Sequence, residues 1–249
     1  MPAKTVAVTG FKNSGKTRVV EALTKEITLR GYKVGTLKHT ADDITLDTPG
    51  KDTSRHRVAG STATAILQEN TTAIFLDQHL TLQQTVEKLG PLDYLIIEGF
   101  KTKDTHARII VPRENGELEQ LRNGLEIAAV KVPESRFNEE TEVPVYTINQ
   151  ASELVDLVEA HAFPMLPGLD CHSCGYPDCK TMGAALLRGE SEITQCIGYK
   201  GGFNLKVNGS DIPLGGFTRK ALQNTLLGFI KTLKGCEDPK TIQLEFEEK

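Results

Sequence analysis

The stretch Gly10-Phe11-Lys12-Asn13-Ser14-Gly15-Lys16-Thr17 places its glycines, lysine and threonine at the spacing G-x-x-x-x-G-K-T. That spacing is suited to holding a nucleoside triphosphate. Glycines at the first and sixth positions let the backbone take turns that a side chain would obstruct, so that successive amides point at phosphate oxygens. Gly10, Asn13, Ser14, Gly15, Lys16, Thr17 and the following Arg18 are the expected phosphate cradle. Lys16 would reach the β- and γ-phosphates, and Thr17 would offer its hydroxyl to Mg²⁺.

A second acidic partner narrows the chemistry. Tyr94-Leu95-Ile96-Ile97 is an apolar run that delivers Glu98 and Gly99. An acid at the C-terminal end of a strand lies where open α/β sheets bind ligands. Glu98 is expected to hold Mg²⁺ or orient an attacking water, and with Lys16 it forms the candidate catalytic pair. Asp42, Asp43, Asp47 and Asp52 crowd a polar segment together with Lys38, His39, Lys51, Arg55, His56 and Arg57. Carboxylates that close repel one another unless a cation or basic side chains neutralise them. Any of these acids could face a cation there, and Lys38, His39 and Lys51 are candidate phosphate contacts.

A third constellation lies far from these. Cys171, Cys174, Cys179 and Cys196 follow the spacing C-x₂-C-x₄-C-x₁₆-C, with Cys236 apart. Two centres take four thiolates, tetrahedral Zn²⁺ and a [4Fe–4S] cluster. One tight C-x₂-C pair followed by a cysteine after four residues favours the cluster over the paired knuckles of a zinc ribbon, with zinc as the alternative. An odd cysteine count without a secretion signal argues against a disulfide scaffold.

These groups need elements to position them. Residues 4–9 read as a strand and 18–30 as its crossover helix; strands follow at 32–37 and 93–97, with the latter carrying Glu98. Residues 62–67 and 72–76 look like a hairpin. Short helices suit 52–59 and 81–88. Further strands are expected at 107–111, 126–130 and 144–148, closed by a helix at 151–160. Short apolar runs alternating with helices predict an α/β P-loop NTPase fold, a mostly parallel sheet with helices on both faces. The expected division is a nucleotide-binding domain over 1–162, a linker over 163–170, an iron–sulfur module over 171–200 and a C-terminal α/β tail over 201–249. The tail should hold a short strand at 205–207 with a turn at Asn208-Gly209, a helix over 218–233 and a strand over 241–246. Phe203, Pro213 and Phe217 would cover an apolar face.

Three segments then carry a resemblance. GFKNSGKT, VGTLKHTADDITLDTPGKDTSRHRVAG and LIIEGFK resemble the MobB family, accessory proteins of molybdenum cofactor biosynthesis, across residues 4–160. The resemblance implies GTP as the nucleotide, weak hydrolysis, and a homodimer that associates with the molybdenum cofactor guanylyltransferase and with the molybdopterin-bearing protein. It places Lys16 and Thr17 on phosphate and Mg²⁺, Asp47 near the metal and Glu98 as the strand-end acid. No Asn-Lys-x-Asp occurs, so guanine preference rests on the resemblance. The cysteine segment is similar to small four-cysteine [4Fe–4S] domains of corrinoid iron–sulfur proteins and of a membrane electron-transport subunit. Gly175, Ala184, Ala185, Gly189 and Cys196 fall at the matching positions.

Composition sets the outer limits. The 249 residues carry a net charge of −4, 39% hydrophobic and 6% aromatic residues, and no tryptophan. No basic stripe or aromatic platform points to nucleic acid, and no apolar run of membrane-spanning length occurs, so a cytoplasmic protein is expected. Two other functions use the same residues: an iron–sulfur electron-transfer or metal-delivery NTPase, and a small-molecule kinase. The kinase needs a basic lid, for which Arg108 and Arg113 are the available arginines.

Overall fold

Strands buried on both faces read as unbroken apolar runs, and this chain has several. The computed structural model describes residues 2–42, 44–199, 205–208, 210–212, 214, 216–239 and 242–245. It divides into two compact units, Met1–Met165 and Leu166–Lys249.

The first unit is built on a seven-stranded sheet. β1 (Lys4–Thr9) is central, flanked by β5 (Tyr94–Glu98) and β6 (Ala107–Ile110). β2 (Val34–Lys38) lies beyond β5; β7 (Glu126–Lys131) and β8 (Val145–Thr147) lie beyond β6, all parallel. Val6, Val8, Leu95, Ile96, Ile97 and Ile109 are at most 1% exposed, so both faces of the centre are covered. Ala7, Leu95 and Ile97 pack against Leu82 and Val86 of α3 (Leu82–Lys88). α1 (Lys16–Leu29) packs on β1 and β5 and against α5 (Ala151–His161). Arg30 joins these two helices through Glu26, Asp156, Glu159 and Ser152. Thr81 begins α3 with a capping box: its hydroxyl accepts from the Gln84 amide, and the Gln84 side chain accepts from the Thr81 amide.

The expected hairpin is present as β3 (Ala63–Leu67) and β4 (Thr72–Leu76), an antiparallel pair forming its own two-stranded sheet. α2 (Asp52–Val58) precedes it and packs on β3. Two elements were not anticipated. α4 (Glu117–Leu121) contributes Leu118 and Leu121 to a cluster with Ile110, Ala129 and Phe137. β9 (Phe163–Pro164) is a two-residue strand where a linker was expected. It pairs antiparallel with Lys4 and Thr5, on the part of β1 that β6 leaves free, since β6 pairs with Val6 to Thr9.

The second unit holds α6 (Cys179–Leu187), a 3₁₀ turn at Ile193–Gln195, the hairpin β10 (Lys206–Val207) and β11 (Ser210–Asp211), and α7 (Gly216–Ile230). The Asp178 carboxylate caps α6 by accepting from the Thr181 amide at 2.6 Å. α7 stops at Ile230, short of the expected end at 233, and residues 231–235 are turns. The strand expected over 241–246 is not formed: residues 242–245 have no regular structure, and the remaining two lie outside the described residues. Asp43, Phe203, Gly209, Pro213 and the Phe217 side chain also lie outside the described structure.

Candidate functional site

The register of three neighbouring strands assembles the nucleotide site. Glu98 pairs with Val8 of β1 on one side and with Lys38 of β2 on the other. The ends of β2, β5 and β1 therefore lie in a row, and the glycine-rich turn leaves from the last of them. Thr17 Oγ1 donates to Glu98 Oε1 at 3.0 Å, and Lys38 Nζ lies 3.1 Å from the same oxygen. The Glu98 side chain is 11% exposed, which makes each of these contacts stronger than it would be in water.

The turn is shaped for close approach. Asn13 and Gly15 have positive φ, 62° and 87°, and this alternation turns neighbouring amides toward one side. A Cβ at Gly10 would stand 2.3 Å from Ser14 Oγ and 2.7 Å from the Val111 carbonyl. A Cβ at Gly15 would stand 2.8 Å from Val132. Ser14 Oγ is buried without a hydrogen-bond partner. Lys16 Nζ donates to the Phe11 carbonyl at 2.6 Å. Burial pushes the Lys16 ammonium below its usual range; Glu98 opposes that shift, and Lys101, Lys38 and Arg113 add to it.

These residues open onto a cleft of about 690 Å³. Of the expected contacts, Asn13, Ser14, Gly15, Lys16, Thr17, Arg18, Lys38, His39 and Glu98 line it. Gly10, Asp47 and Lys51 do not. Asp47 instead accepts from Thr53 Oγ1 at 3.0 Å, at the start of α2, with its other oxygen buried and unpartnered. Lys51 is the N-cap of the same helix. His39 stacks on Phe100 at 4.1 Å and holds the Glu98 carbonyl through its amide, a positioning arrangement.

Sequence reasoning missed the wall formed by Val132, Glu134 and Ser135; Lys12 and Thr40, inside segments already singled out, line the cleft too, as does Arg113, expected only as a lid arginine of the kinase alternative. Glu134 binds Arg18 with both oxygens at 2.8 Å, and Lys12 pairs with Asp42 at 3.1 Å. No motif marks the loop that carries Val132, Glu134 and Ser135; the parallel order β1-β6-β7 brings it beside the turn. Arg108 is no lid residue. It is 1% exposed and donates to the carbonyls of Leu121, Lys101 and Lys103, so it braces loops from within.

In the second unit, Cys171, Cys174, Cys179 and Cys196 line one hollow with Asp170, His172, Tyr176 and Met182. Gly168, Asp170 and His172 all have positive φ, a second alternating turn. The amides of Asp170, Leu169 and Gly168 donate toward the Cys179 sulfur, and the Gly198 amide toward Cys196. Burial pushes both thiols up and these donors oppose it; for Cys196 the other three sulfurs push it further. Among the described residues, no three His, Cys, Asp or Glu side chains meet closely enough to share one ion. The four cysteines share the lining of that one hollow.

The parallel sheet, the phosphate turn and the strand-end acid define a P-loop nucleotide-binding protein. A family model for MobB, "Molybdopterin guanine dinucleotide synthesis protein B", matches residues 5–133. The chain belongs to that family. A model described as "Putative Fe-S cluster" matches residues 166–197. One relative is the "Putative molybdopterin-guanine dinucleotide biosynthesis adapter protein" of Methanocaldococcus jannaschii, 30% identical over 248 residues, 98% of this chain and 97% of that one. A Bacillus subtilis protein, "Probable molybdopterin-guanine dinucleotide biosynthesis adapter protein", is 32% identical over 58% of this chain and 86% of its own length. The crystal structure of Bacillus subtilis MobB superimposes with a TM-score of 0.54 at 25% identity, over 62% of this chain and 97% of that one.

Proposed function

We propose that the chain is a GTP-binding adapter for molybdopterin guanine dinucleotide synthesis, hydrolysing GTP slowly, with a [4Fe–4S] cluster on its second unit. One observation carries the nucleotide half: the Thr17–Glu98 hydrogen bond beside Lys16, in a chain of the MobB family. A hydroxyl and a carboxylate 3.0 Å apart are hard oxygen donors that suit Mg²⁺. Thr17 and Glu98 would hold the ion, which would neutralise phosphate charge. Asp47 is engaged by Thr53 and does not fit that role. Lys16 exchanges the Phe11 carbonyl for phosphate oxygens, while Asn13 to Arg18 supply amides. Lys38, 3.1 Å from Glu98, holds the carboxylate in place. No side chain in the cleft is arranged as a strong general base, which accords with slow turnover and a switching role.

Four cysteines lining one hollow, inside the segment that the Fe-S family model matches, support the cluster. A cubane bonds each thiolate to its own iron and asks for separated cysteines, whereas tetrahedral Zn²⁺ needs sulfurs drawn to one point. Amides aimed at sulfur are the outer partners that tune such centres.

Partners follow from the same reading. Ile66, Leu67, Ile74 and Val58 are 44–87% exposed on the β3–β4 hairpin and α2. An isolated two-stranded sheet with that much apolar surface is stabilised by a second copy, so we place the homodimer contact there. The guanylyltransferase is the partner enzyme, in the cytoplasm; no described helix is long and apolar enough to cross a membrane.

The adapter role is tested by mixing the anaerobically purified chain with a molybdenum cofactor guanylyltransferase, with and without GTP. A nucleotide-dependent complex on gel filtration, with faster formation of the dinucleotide cofactor, is expected. No complex under either condition would refute it.

A further inference from the structure

Arg113 lines the cleft beside the residues of the phosphate turn. β6 ends at Ile110, and the Val111 amide donates to the Thr9 carbonyl at 2.8 Å, keeping the chain beside β1 as it reaches the phosphate turn. Arg113 then emerges next to Lys12, with Nη1 3.4 Å from the Lys12 carbonyl. Three donors of Arg113 go to Glu117, the first residue of α4: the amide at 2.7 Å, Nε at 2.8 Å and Nη2 at 2.5 Å. Glu117 is 4% exposed. The Phe11 ring lies beneath the guanidinium at 5.9 Å, and Lys101 Nζ sits over the same ring at 4.1 Å.

A buried carboxylate, a bidentate fork and an aromatic floor fix one guanidinium far more firmly than a surface ion pair requires. Arg113 lines the cleft, and its Nη1 reaches the Lys12 carbonyl of the phosphate turn rather than Glu117. Lys16, Lys38, Lys101 and Arg113 repel one another there, and like charges are held together where an anion is to be bound.

We propose that Arg113 is a built-in arginine that contacts the terminal phosphate of the bound nucleotide, and that Glu117 positions it. The inference rests on the GTP reading above. In hydrolysis the water oxygen bonds to the γ-phosphorus as the bond to the β-phosphate oxygen breaks. That bond's electron pair leaves on GDP, and the water proton ends on inorganic phosphate. Negative charge on the transferring phosphoryl oxygens would be met by Lys16, by the cation that Thr17 and Glu98 would hold, and by the Arg113 fork, the kind of positive surround phosphoryl transfer rewards.

The test compares affinities for GTP, GDP, and GDP with aluminium fluoride, all with Mg²⁺, for the whole chain and for Arg113→Ala, Arg113→Lys and Glu117→Gln. A charge-assisted contact to one phosphate predicts that Arg113→Ala weakens GTP about tenfold or more, GDP less than about threefold, and removes the tightening by aluminium fluoride. Arg113→Lys keeps the charge and the fold but not the fork, and should lose the aluminium fluoride effect. Glu117→Gln should fall between Arg113→Ala and the parent. A brace for the loop would weaken GTP and GDP alike. Equal loss, or no loss, in both arginine variants overturns the proposal and leaves the GTP reading standing. A parent chain that binds no guanine nucleotide overturns both.

Discussion

Thr17 and Glu98 are 81 residues apart in the chain, yet the threonine hydroxyl donates to the glutamate carboxylate at 3.0 Å. Strand register makes the contact. β5 pairs with β1 so that Glu98 faces Val8, and the turn then carries Thr17 back over the strand ends. Glu98→Gln preserves the shape and the hydrogen bond but removes the charge. The expected result is a drop on the order of tenfold in the strengthening of GTP binding by Mg²⁺, with metal-free binding little changed. Titrations with and without EDTA measure both.

Gly15 is a steric requirement as well as a conformational one. Its φ is 87°, and an added Cβ would stand 2.8 Å from Val132. Gly31 has φ 88° with nothing within 4 Å of its would-be Cβ. Gly31→Ala should therefore cost about 1 kcal/mol of backbone strain, and Gly15→Ala about 2–3 kcal/mol once the Val132 clash is included. Urea titration of the two variants separates them.

His106 is fully buried, and burial first, then the Arg108 cation, depresses its pKa to about 4. The unfolded chain takes this proton near 6.5 and the folded chain holds off until about 4. Stability from this residue is whole above pH 6.5 and declines between those values, by roughly 3 kcal/mol at most. His106→Gln should flatten that part of the stability-against-pH curve, measured by denaturant midpoints from pH 7 to 4.5. An unchanged slope would contradict it.

The four cysteines that line the hollow should be interchangeable in effect, and Cys236 should differ. Cys171, Cys174, Cys179 or Cys196 changed to Ser should each cut iron and acid-labile sulfide sharply, with loss of the broad absorption near ~400 nm that cluster thiolates give. Cys236, which is not part of the hollow, should tolerate Ser with iron content unchanged. Stoichiometric zinc without sulfide in the parent would end the cluster assignment.

Much of this was legible before the fold. The apolar runs of the first unit and the glycine spacing of the phosphate turn are local signals, and the elements they mark there are present, whereas the alternation over 241–246 forms no strand at the described residues 242–245. Glu98 was legible because a strand ending in an acid is a pattern in sequence. Glu117 and Glu134 were not, and Arg113 was marked only as a lid arginine of the kinase alternative, because their importance here comes from β6 and β7 lying beside β1, a non-local fact. Asp47 was misleading for a related reason: acids close in sequence read as one cluster, but Thr53 draws this one to α2. β9 escaped notice because two residues carry no periodicity, and pairing with Lys4 and Thr5 alone makes them a strand.

The most direct measurement is calorimetric titration of the anaerobically purified chain with GTP and Mg²⁺, beside Lys16→Ala. Lys16 is partly exposed and its charge, not its packing, is at issue, so the variant should fold. Micromolar binding in the parent and a loss of roughly a hundredfold in the variant is the expected pair of results. No binding by the parent, or equal binding by both, would contradict a nucleotide held by this turn.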